Sequence, residues 1–341
     1  MIKNLYLCCF LALQSVVIAQ VGGQSVYQFL NLVPSARQAA LGGKNVTIYD
    51  QDVNQALFNP ASINAEMDNH LSTNYASYFG DVRYGTAAYA HTYDRHLQTF
   101  QAGVQYINYG AFDGYDQFGN ATSSFTGSEI ALSVGYAMTI PKTNWHLGLN
   151  TKLISSTLES YTSFGGAFDL GALYVDEVNE INYAIVVRNL GVQFTSYTGI
   201  KEPLPTELIL GVSQQLEHVP IRWHITLENM QQWNVAFSNP ARAQNSIDGT
   251  STPEKVSFFN NALRHLIVGA ELFPKKGFNI RLSYNFRRGE EMSVLEQRNF
   301  SGISMGFGLR MRRLKFDYSF SRYTLASNTS MFGLTINFNE R

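Results

Sequence analysis

The sequence predicts an all-β protein: an outer-membrane antiparallel β-barrel of about fourteen strands, preceded by an N-terminal plug segment. Three observations lead to this prediction. No stretch after Ala19 approaches the ~18 consecutive apolar residues that a membrane-spanning helix needs. Long runs of residues alternate between apolar and polar side chains, as strands do when one face meets lipid. The connections between these runs are alternately short and long.

Residues 1–19 have the pattern of a cleaved signal peptide. Lys3 supplies the positive charge that precedes an apolar stretch, and this stretch is too short to span a bilayer comfortably. Val17 and Ala19 are small enough for the cleavage site, which makes Gln20 the new N-terminus. The alternative interpretation is an uncleaved membrane anchor.

Composition narrows the possible functions. The chain has 25 Lys and Arg residues against 26 Asp and Glu, so no basic excess favours nucleic-acid binding. Charged residues make up 15% and aromatic residues 13%, which suits a β-rich chain in contact with lipid and also a soluble β-sandwich. Both cysteines, Cys8 and Cys9, lie in the predicted signal peptide, so the mature chain forms neither disulfides nor Cys-ligated metal sites.

Residues 20–68 lack strand alternation and are rich in small residues. Ser35 can cap a short helix through Gln38 to Leu41, which the glycines at 42 and 43 would end. A second short helix is predicted from Asp52 to Leu57. Because small residues allow close backbone packing, we predict that this segment is a plug inside the barrel. A periplasmic linker is the alternative.

Residues 69–338 are predicted to form the transmembrane barrel. In the run from Phe278 to Arg287 every second residue is apolar, and the residues between them are polar or charged. Such runs are longer than the five or six residues of ordinary soluble strands. Fourteen are present, at 69–78, 83–93, 97–109, 127–139, 144–158, 163–175, 180–191, 205–216, 219–228, 263–273, 277–287, 300–311, 313–322 and 328–338.

The lengths of the connections support this count. Every second connection is short, and the others include all the long ones, at 110–126, 192–204, 229–262 and 288–299. Outer-membrane barrels have short periplasmic turns and longer outside loops. The pattern therefore predicts the outer membrane as the location, with both ends of the mature chain in the periplasm.

If the apolar face of each strand meets lipid, the polar face lines the lumen. Six cations and six carboxylates then face inward, and this balance favours ion pairing in a filled lumen over a charge-selective pore. The alternative is that the inner walls of all barrels are polar and the balance is coincidental. The twelve candidate lumen charges are Glu129, Lys152, Asp169, Arg188, Glu207, Arg222, Glu228, Glu271, Arg281, Arg310, Lys315 and Asp317.

The longest predicted loop, 229–262, is a candidate surface for binding a partner. It contains the aromatic and arginine residues that protein interfaces favour at their centres. The alternative is that the aromatic residues belong to the girdle at the outer membrane interface. The candidates are Trp233, Phe237, Arg242, Phe258 and Phe259.

No catalytic, cofactor or metal site is predicted. Gly302 to Gly306 matches G-x-S-x-G by letter, but the alternation continues through it, whereas a nucleophile elbow requires a strand-to-helix turn. The seven histidines show no pair at metal-ligand spacing and have no cysteine partners in the mature chain. We therefore expect a protein that is not an enzyme.

The stretch from Gly22 to Gly43, GGQSVYQFLNLVPSARQAALGG, resembles the N-terminal region of the PorQ family of outer-membrane barrels, components of the type IX secretion system. The residues from Asp50 to Ala61 continue this resemblance. The looser pattern of Ser-Ala-Arg, Ala-Leu-Gly-Gly and Asn-Pro-Ala is similar to that of the related PorV barrels and the wider fatty-acid-transporter-like (FadL) barrels. The resemblance is specific over residues 22–61 and architectural beyond them.

This resemblance implies a non-enzymatic protein that holds a PorZ-like surface protein, with PorU and PorV, in an attachment complex that joins secreted cargo to lipopolysaccharide. It implies no cofactor, and it implies that the partner binds the outside loops. Two alternatives stay open: a FadL-like transporter of hydrophobic small molecules and a PorV-like cargo shuttle. Few apolar residues have inward parity in the clearest strands, which weighs against transport.

Overall fold

The computed structural model describes residues 25–78, 80–94, 98–236, 244–245, 251–252, 256–292, 300–322 and 328–339. The predicted signal peptide, residues 1–19, lies outside the described residues. Among the described residues, no helix is both long and apolar enough to cross a membrane.

Fourteen antiparallel strands form a closed barrel, in which the first strand pairs with the last. This confirms the predicted fold class. The two-residue strands β10 (Gln244–Asn245) and β11 (Ser251–Thr252) form a separate hairpin. The barrel strands are β1 (His70–Ser77), β2 (Arg83–Asp94), β3 (Gln98–Phe112), β4 (Phe125–Thr139), β5 (Trp145–Leu158), β6 (Tyr161–Asp176), β7 (Ile181–Thr195), β8 (Glu207–Gln215), β9 (Ile221–Leu227), β12 (Leu266–Leu272), β13 (Phe278–Asn285), β14 (Ile303–Met311), β15 (Leu314–Arg322) and β16 (Asn328–Asn337).

Each predicted run coincides with one barrel strand, and the differences are at the strand ends. The seventh run was expected to end at residue 191, but β7 continues to Thr195. The eleventh was expected to reach residue 287, but β13 ends at Asn285, whose side chain accepts a hydrogen bond from the Arg288 amide and begins a helix. Two short helices in the long connections were not predicted: α2 (Phe258–Leu263) and α3 (Phe286–Glu291).

Burial alternates along the strands. In β13, Phe278, Ile280 and Leu282 are exposed on the outside of the barrel, whereas Asn279 and Arg281 are buried inside. An apolar outer face around a polar interior is the arrangement of a barrel that lipid surrounds. A closed barrel also pairs its strand backbone groups without leaving an edge, as the bilayer core requires.

The two openings of the barrel differ. At one opening, the turn mouth, the connections between strands are two to five residues long. At the other, the loop mouth, the chain makes its long connections, at 113–124, 196–206, 228–265 and 286–302. This sorting agrees with the predicted alternation of short and long connections.

Residues 25–68, the N-terminal segment, lie inside the barrel and contact strands around its circumference. The helix α1 (Ala36–Ala40) packs against β13 to β16, whereas short 3-10 helices at Val53–Leu57 and Pro60–Ser62 pack against β1 to β6. Further 3-10 helices lie at Gln28–Asn31 and Ala65–Met67.

The predicted end signals of α1 are used. The Ser35 hydroxyl accepts a hydrogen bond from the Gln38 amide at 3.2 Å, and Gly42 and Gly43 follow the helix with φ of 84° and 99°. A Cβ at Gly42 would also collide with the side chain of Ile267 on β12, so this position requires glycine for two reasons. The predicted helix from Asp52 to Leu57 is a 3-10 helix with Asp52 as its cap.

The N-terminal segment runs from one mouth to the other. The Val26 amide donates to Pro203 O, 3.0 Å away in a connection of the loop mouth. At the turn mouth, the side-chain amide of Asn339 donates to Asp68 O at 2.8 Å. The first and last described residues therefore lie at opposite mouths. The ends of the mature chain, Gln20 and Arg341, lie outside the described residues, so the expectation that both share one side stays a prediction. That expectation counted strands alone and did not place the N-terminal segment.

The lumen also has an apolar layer. Buried inward residues of the strands, including Tyr84, Ile107 and Ile154, pack against Phe29 and Leu30 of the N-terminal segment. Inward apolar residues are few in β4 and β13 to β15, as expected from the sequence, but other strands carry them. They line the lumen because they meet the N-terminal segment there, not water.

Candidate functional site: the ion-paired lumen and the loop mouth

The structure places the twelve candidate lumen charges on the inner side of the wall. Nine are buried, Arg222 and Lys315 are partly buried, and Arg310 is exposed at the turn mouth. Ten of the twelve form ion pairs, several of them with residues of the N-terminal segment. Glu129 and Arg310 form none within the described ranges.

The largest ion-pair network joins the N-terminal segment to four strands, β9, β12, β13 and β15. Arg37 lies 2.9 Å from Asp50 within the segment and 2.9 Å from Glu271 on β12. Glu271 also lies 2.8 Å from Arg281 on β13, and Arg281 lies 2.6 Å from Asp317 on β15. The wall and the segment therefore share one continuous chain of charge-assisted hydrogen bonds.

The electrostatics at the end of this network lower the pKa of Asp50. Burial alone would raise it, but the adjacent charges of Arg37 and Arg222 outweigh burial and keep the carboxylate ionised. Arg37 also lies 3.3 Å from Asp52. Removing one member would leave a buried charge without its partner, which costs about 3–5 kcal/mol in proteins.

A second contact secures the N-terminal segment nearer the loop mouth. Lys44 pairs with Glu207 on β8 and lies 2.7 Å from Glu228, directly after β9. Arg188 on β7 donates to Leu30 O at 3.0 Å, and its guanidinium lies 3.9 Å from the centre of the Phe58 ring. The segment is thus also attached to β7 and β8, which follow β12 and β9 around the barrel.

Three further predicted charges, Lys152, Asp169 and Glu129, contact residues of the wall. Lys152 lies 2.6 Å from Asp169 and donates to the Asn189 side chain at 2.9 Å, so this pair joins β5, β6 and β7. Glu129 instead accepts a hydrogen bond from the hydroxyl of Tyr109. None of these three charges forms an ion pair with the N-terminal segment among the described residues.

Sequence reasoning missed the segment's own charges, Arg37, Lys44, Asp50 and Asp52. A signal was present, because these four charges stand in a segment made mainly of small, apolar and uncharged polar residues. A charge in a buried position needs a partner, and inward charges of the wall were the available ones.

At the loop mouth, Trp233, Phe258 and Phe259 form an exposed aromatic patch. Their exposed fractions are 49%, 74% and 71%. The rings of Trp233 and Phe258 lie 5.0 Å apart, and Trp233 stacks on His265 at 5.4 Å. The other two candidates in this loop, Phe237 and Arg242, lie outside the described residues.

Cavities at both mouths have polar linings. The loop-mouth cavity, about 600 Å³, is lined by Gln28, Asn31, Asn229, Gln231 and other residues, and the turn-mouth cavity, about 380 Å³, is lined mainly by charged residues. Ser304 of the G-x-S-x-G match lies within the strand β14 and not on a strand-to-helix turn. Its hydroxyl accepts a hydrogen bond from the Ser321 hydroxyl at 2.9 Å. The match therefore has the wrong local structure for a nucleophile elbow.

Comparison with solved structures identifies the fold. The Ralstonia pickettii toluene transporter TbuX superposes with a TM-score of 0.50 at 13% identity, over 91% of this chain and 98% of that chain. A Pseudomonas aeruginosa FadL homologue superposes with a TM-score of 0.51 at 11% identity, over 89% of this chain and 98% of that one. The chain has the fold of FadL-like outer-membrane barrels. No protein-family model matches it, and no curated protein matches its sequence.

Proposed function

We propose that this protein is a non-enzymatic outer-membrane barrel whose residues 20–68 act as a fixed plug and whose loop mouth anchors a cell-surface partner. Together with the resemblance of residues 22–61 to the PorQ family, this makes it a candidate component of the type IX secretion attachment complex. The partner would be a PorZ-like protein, with PorU and PorV in the larger assembly and lipopolysaccharide at the surface.

The observation that carries this proposal is the attachment of the N-terminal segment to the wall, by packing around the circumference and by ion pairs with the neighbouring strands β8, β9 and β12. Arg37 pairs with Glu271 on β12, and Lys44 pairs with Glu207 on β8. Moving the segment would separate several buried ion pairs, each costly to break. A barrel that is held closed in this way is suited to presenting its loops.

The aromatic patch at the loop mouth is the proposed contact. Trp233 and Phe258 offer a large apolar area at a small cost in conformational entropy, which is why such residues dominate the energetics of interfaces. His265 supports Trp233 from below, since its Nδ1 lies 2.7 Å from Glu228 O and fixes the ring at the base of the loop.

Co-purification tests this proposal. The tagged full-length protein is extracted in mild detergent, and bound surface proteins are identified by mass spectrometry. The double variant Phe258→Ala/Phe259→Ala should lose the partner while keeping the heat-modifiable migration of a folded barrel. Phe118→Ala is the matched control, because Phe118 is 80% exposed on a different connection of the same mouth. Retention of the partner by the double variant would exclude this patch.

A second function, transport of hydrophobic small molecules, is favoured by the similarity of the fold to a toluene transporter and a FadL homologue. The inward apolar residues around Phe29 and Leu30 could line part of such a route. Uptake of toluene into cells with and without the protein separates the two functions. If the protein is a transporter, cells without it should lose toluene uptake and keep their surface proteins. If it is an anchor, cells without it should keep toluene uptake and lose the anchored surface protein.

A PorV-like cargo shuttle is the third possibility, and it shares the anchor's dependence on the loop mouth. The two differ in what co-purifies. An anchor should retain one surface protein in constant amount, whereas a shuttle should retain secreted cargo proteins, and only while secretion is active.

A further inference from the structure

The turn mouth contains a cavity of about 380 Å³ between the N-terminal segment and the wall. Six cationic side chains and three carboxylates line it. The cations are Arg37, Arg222, Lys275, Arg281, Arg310 and Lys315, and the carboxylates are Asp50, Glu66 and Glu271. This excess of cations is opposite to what a site for a metal ion would show.

Most of these cations already have partners, some of them outside the lining. Lys315 pairs with Asp317 at 3.2 Å, and Lys275 pairs with Glu180 at 2.7 Å. Arg310 forms no ion pair in the described part of the chain. It faces the side chain of Gln51, whose oxygen accepts from Arg310 Nη1 at 2.7 Å when the amide is turned toward it.

Arg310 and Lys315 also border an adjoining cleft. Arg312 and Arg313, in the turn between β14 and β15, line this cleft and make no ion pair or side-chain hydrogen bond with the described residues. Arg310, Arg312 and Arg313 therefore line one cleft of the turn mouth, and the carboxylate that also borders this cleft, Asp52, pairs with Arg37 instead. We call Arg281, Arg310, Arg312, Arg313 and Lys315 the basic vestibule.

Buried polar atoms in the lining supply an independent observation. Arg281 is fully buried, yet its Nη2 has no hydrogen-bond acceptor among the described residues. Arg37 Nε and Asn279 Oδ1 also have no hydrogen-bond partner among the described residues, and both residues are at least nine-tenths buried. Leaving such groups unpaired is unfavourable, so a ligand that pairs with them would bind favourably.

We propose that the basic vestibule binds a phosphate-bearing anion. Guanidinium groups match the geometry of phosphate oxygens with two parallel hydrogen bonds. Arg310 offers such a pair of donors, and Arg281 offers its one unpartnered donor, Nη2. A protonated phosphate oxygen or a hydroxyl group of the ligand would donate to Asn279 Oδ1. Glu66 is exposed and also borders the neighbouring cavity beside β6, so it lies toward the other end of the lining.

Two sources could supply this anion: a soluble phosphate compound, or the headgroup of a phospholipid in the leaflet at the turn mouth. Both present the same phosphate oxygens to the vestibule. The site is separate from the loop mouth and does not rest on the proposed anchoring function.

Isothermal titration calorimetry on the full-length protein in neutral detergent tests the site, with pyrophosphate as one probe and dihexanoyl phosphatidylglycerol as the other. We expect saturable one-to-one binding of at least one probe. Arg310→Gln should weaken this binding about tenfold or more, which corresponds to about 1.4 kcal/mol. Arg312→Gln/Arg313→Gln provides a second variant at exposed turn positions, and it should weaken this binding as well.

Lys276→Gln is the matched control. It removes one positive charge from the same mouth, but Lys276 does not line the cavity and packs over Phe273 instead. The affinity of the Lys276→Gln variant for the probe should equal that of the unaltered protein. If phosphatidylglycerol binds more tightly than pyrophosphate, the source of the anion is a lipid headgroup. If pyrophosphate binds more tightly, the source is a soluble compound. Absence of saturable binding, or equal weakening by Lys276→Gln and Arg310→Gln, would overturn the proposal.

Discussion

Arg37 in the N-terminal segment and Glu271 on β12 form a buried ion pair, with 2.9 Å between Nη2 and Oε2. The two residues are 234 positions apart in the chain. Their side chains are 4% and 2% exposed, so the pair is largely shielded from solvent. This contact links the segment to the wall, and its chemistry leads to the first two predictions.

Arg37→Met should destabilise the folded protein by about 3–5 kcal/mol, because it leaves the buried Glu271 and the partly buried Asp50 with one cation fewer. Urea unfolding followed by gel mobility in lipid vesicles measures this. Glu180→Gln is the control, since Glu180 pairs with Lys275 at the surface and should contribute only about 0–1 kcal/mol. Similar effects of both substitutions would show that the buried lumen pair contributes no more to the free energy of unfolding than a surface pair.

Stability should fall in acid, in part through Asp50. Its pKa is lowered in the folded protein, so its contribution is present above the unfolded value of about 3.9 and is lost as the pH falls below it. Asp50→Asn should therefore reduce the difference in unfolding free energy between pH 6 and pH 3. An unchanged acid dependence in this variant would mean that Asp50 is not held ionised by Arg37.

Leu282→Arg should impair assembly, because Leu282 is 53% exposed near the middle of β13, on the face that meets lipid. An arginine at the membrane midplane costs about 2–4 kcal/mol, whereas one near the interface costs about 0–1 kcal/mol. Leu314→Arg, at the first residue of β15, is the matched control. The folded fraction after refolding into vesicles measures both. Equal tolerance would place the membrane differently along the barrel.

The two ends of the described chain should be accessible from opposite sides of the membrane. An epitope inserted before Ser25 should be labelled by antibody on intact cells, because Val26 lies at the loop mouth. An epitope after residue 341 should be labelled only after the cells are opened, because Asn339 lies at the turn mouth. Labelling of both epitopes, or of neither, in intact cells would contradict this topology.

The barrel could be predicted from the sequence because apolar and polar side chains alternate along each strand of the wall, as contact with lipid on one face requires. Ile280 and Leu282 must face lipid, and Arg281 between them must face inward. The same alternation identified the inward charges, but it could not identify their partners. Arg37 and Glu271 are too distant in sequence for any local pattern to pair them.

The N-terminal segment was less predictable because tertiary contacts decide its path. Ser35 and the glycines at 42 and 43 indicate the helix α1, as expected from local capping chemistry. Nothing local indicates that Val26 lies at one mouth and Asp68 at the other, since the segment follows the inner surface that the strands provide. The inward apolar residues, such as Ile154, were overlooked for the same reason.

The passage of the N-terminal segment through the lumen makes the number of membrane crossings odd. Fourteen strands alone would return the chain to its starting side, and the luminal crossing adds one more. The order of assembly is also constrained, because a segment that enters one opening and leaves at the other is enclosed once β1 pairs with β16. Its ion pairs with β8 and β12 are therefore expected to form before this last seam closes, so the segment would act as a template around which the wall is wound.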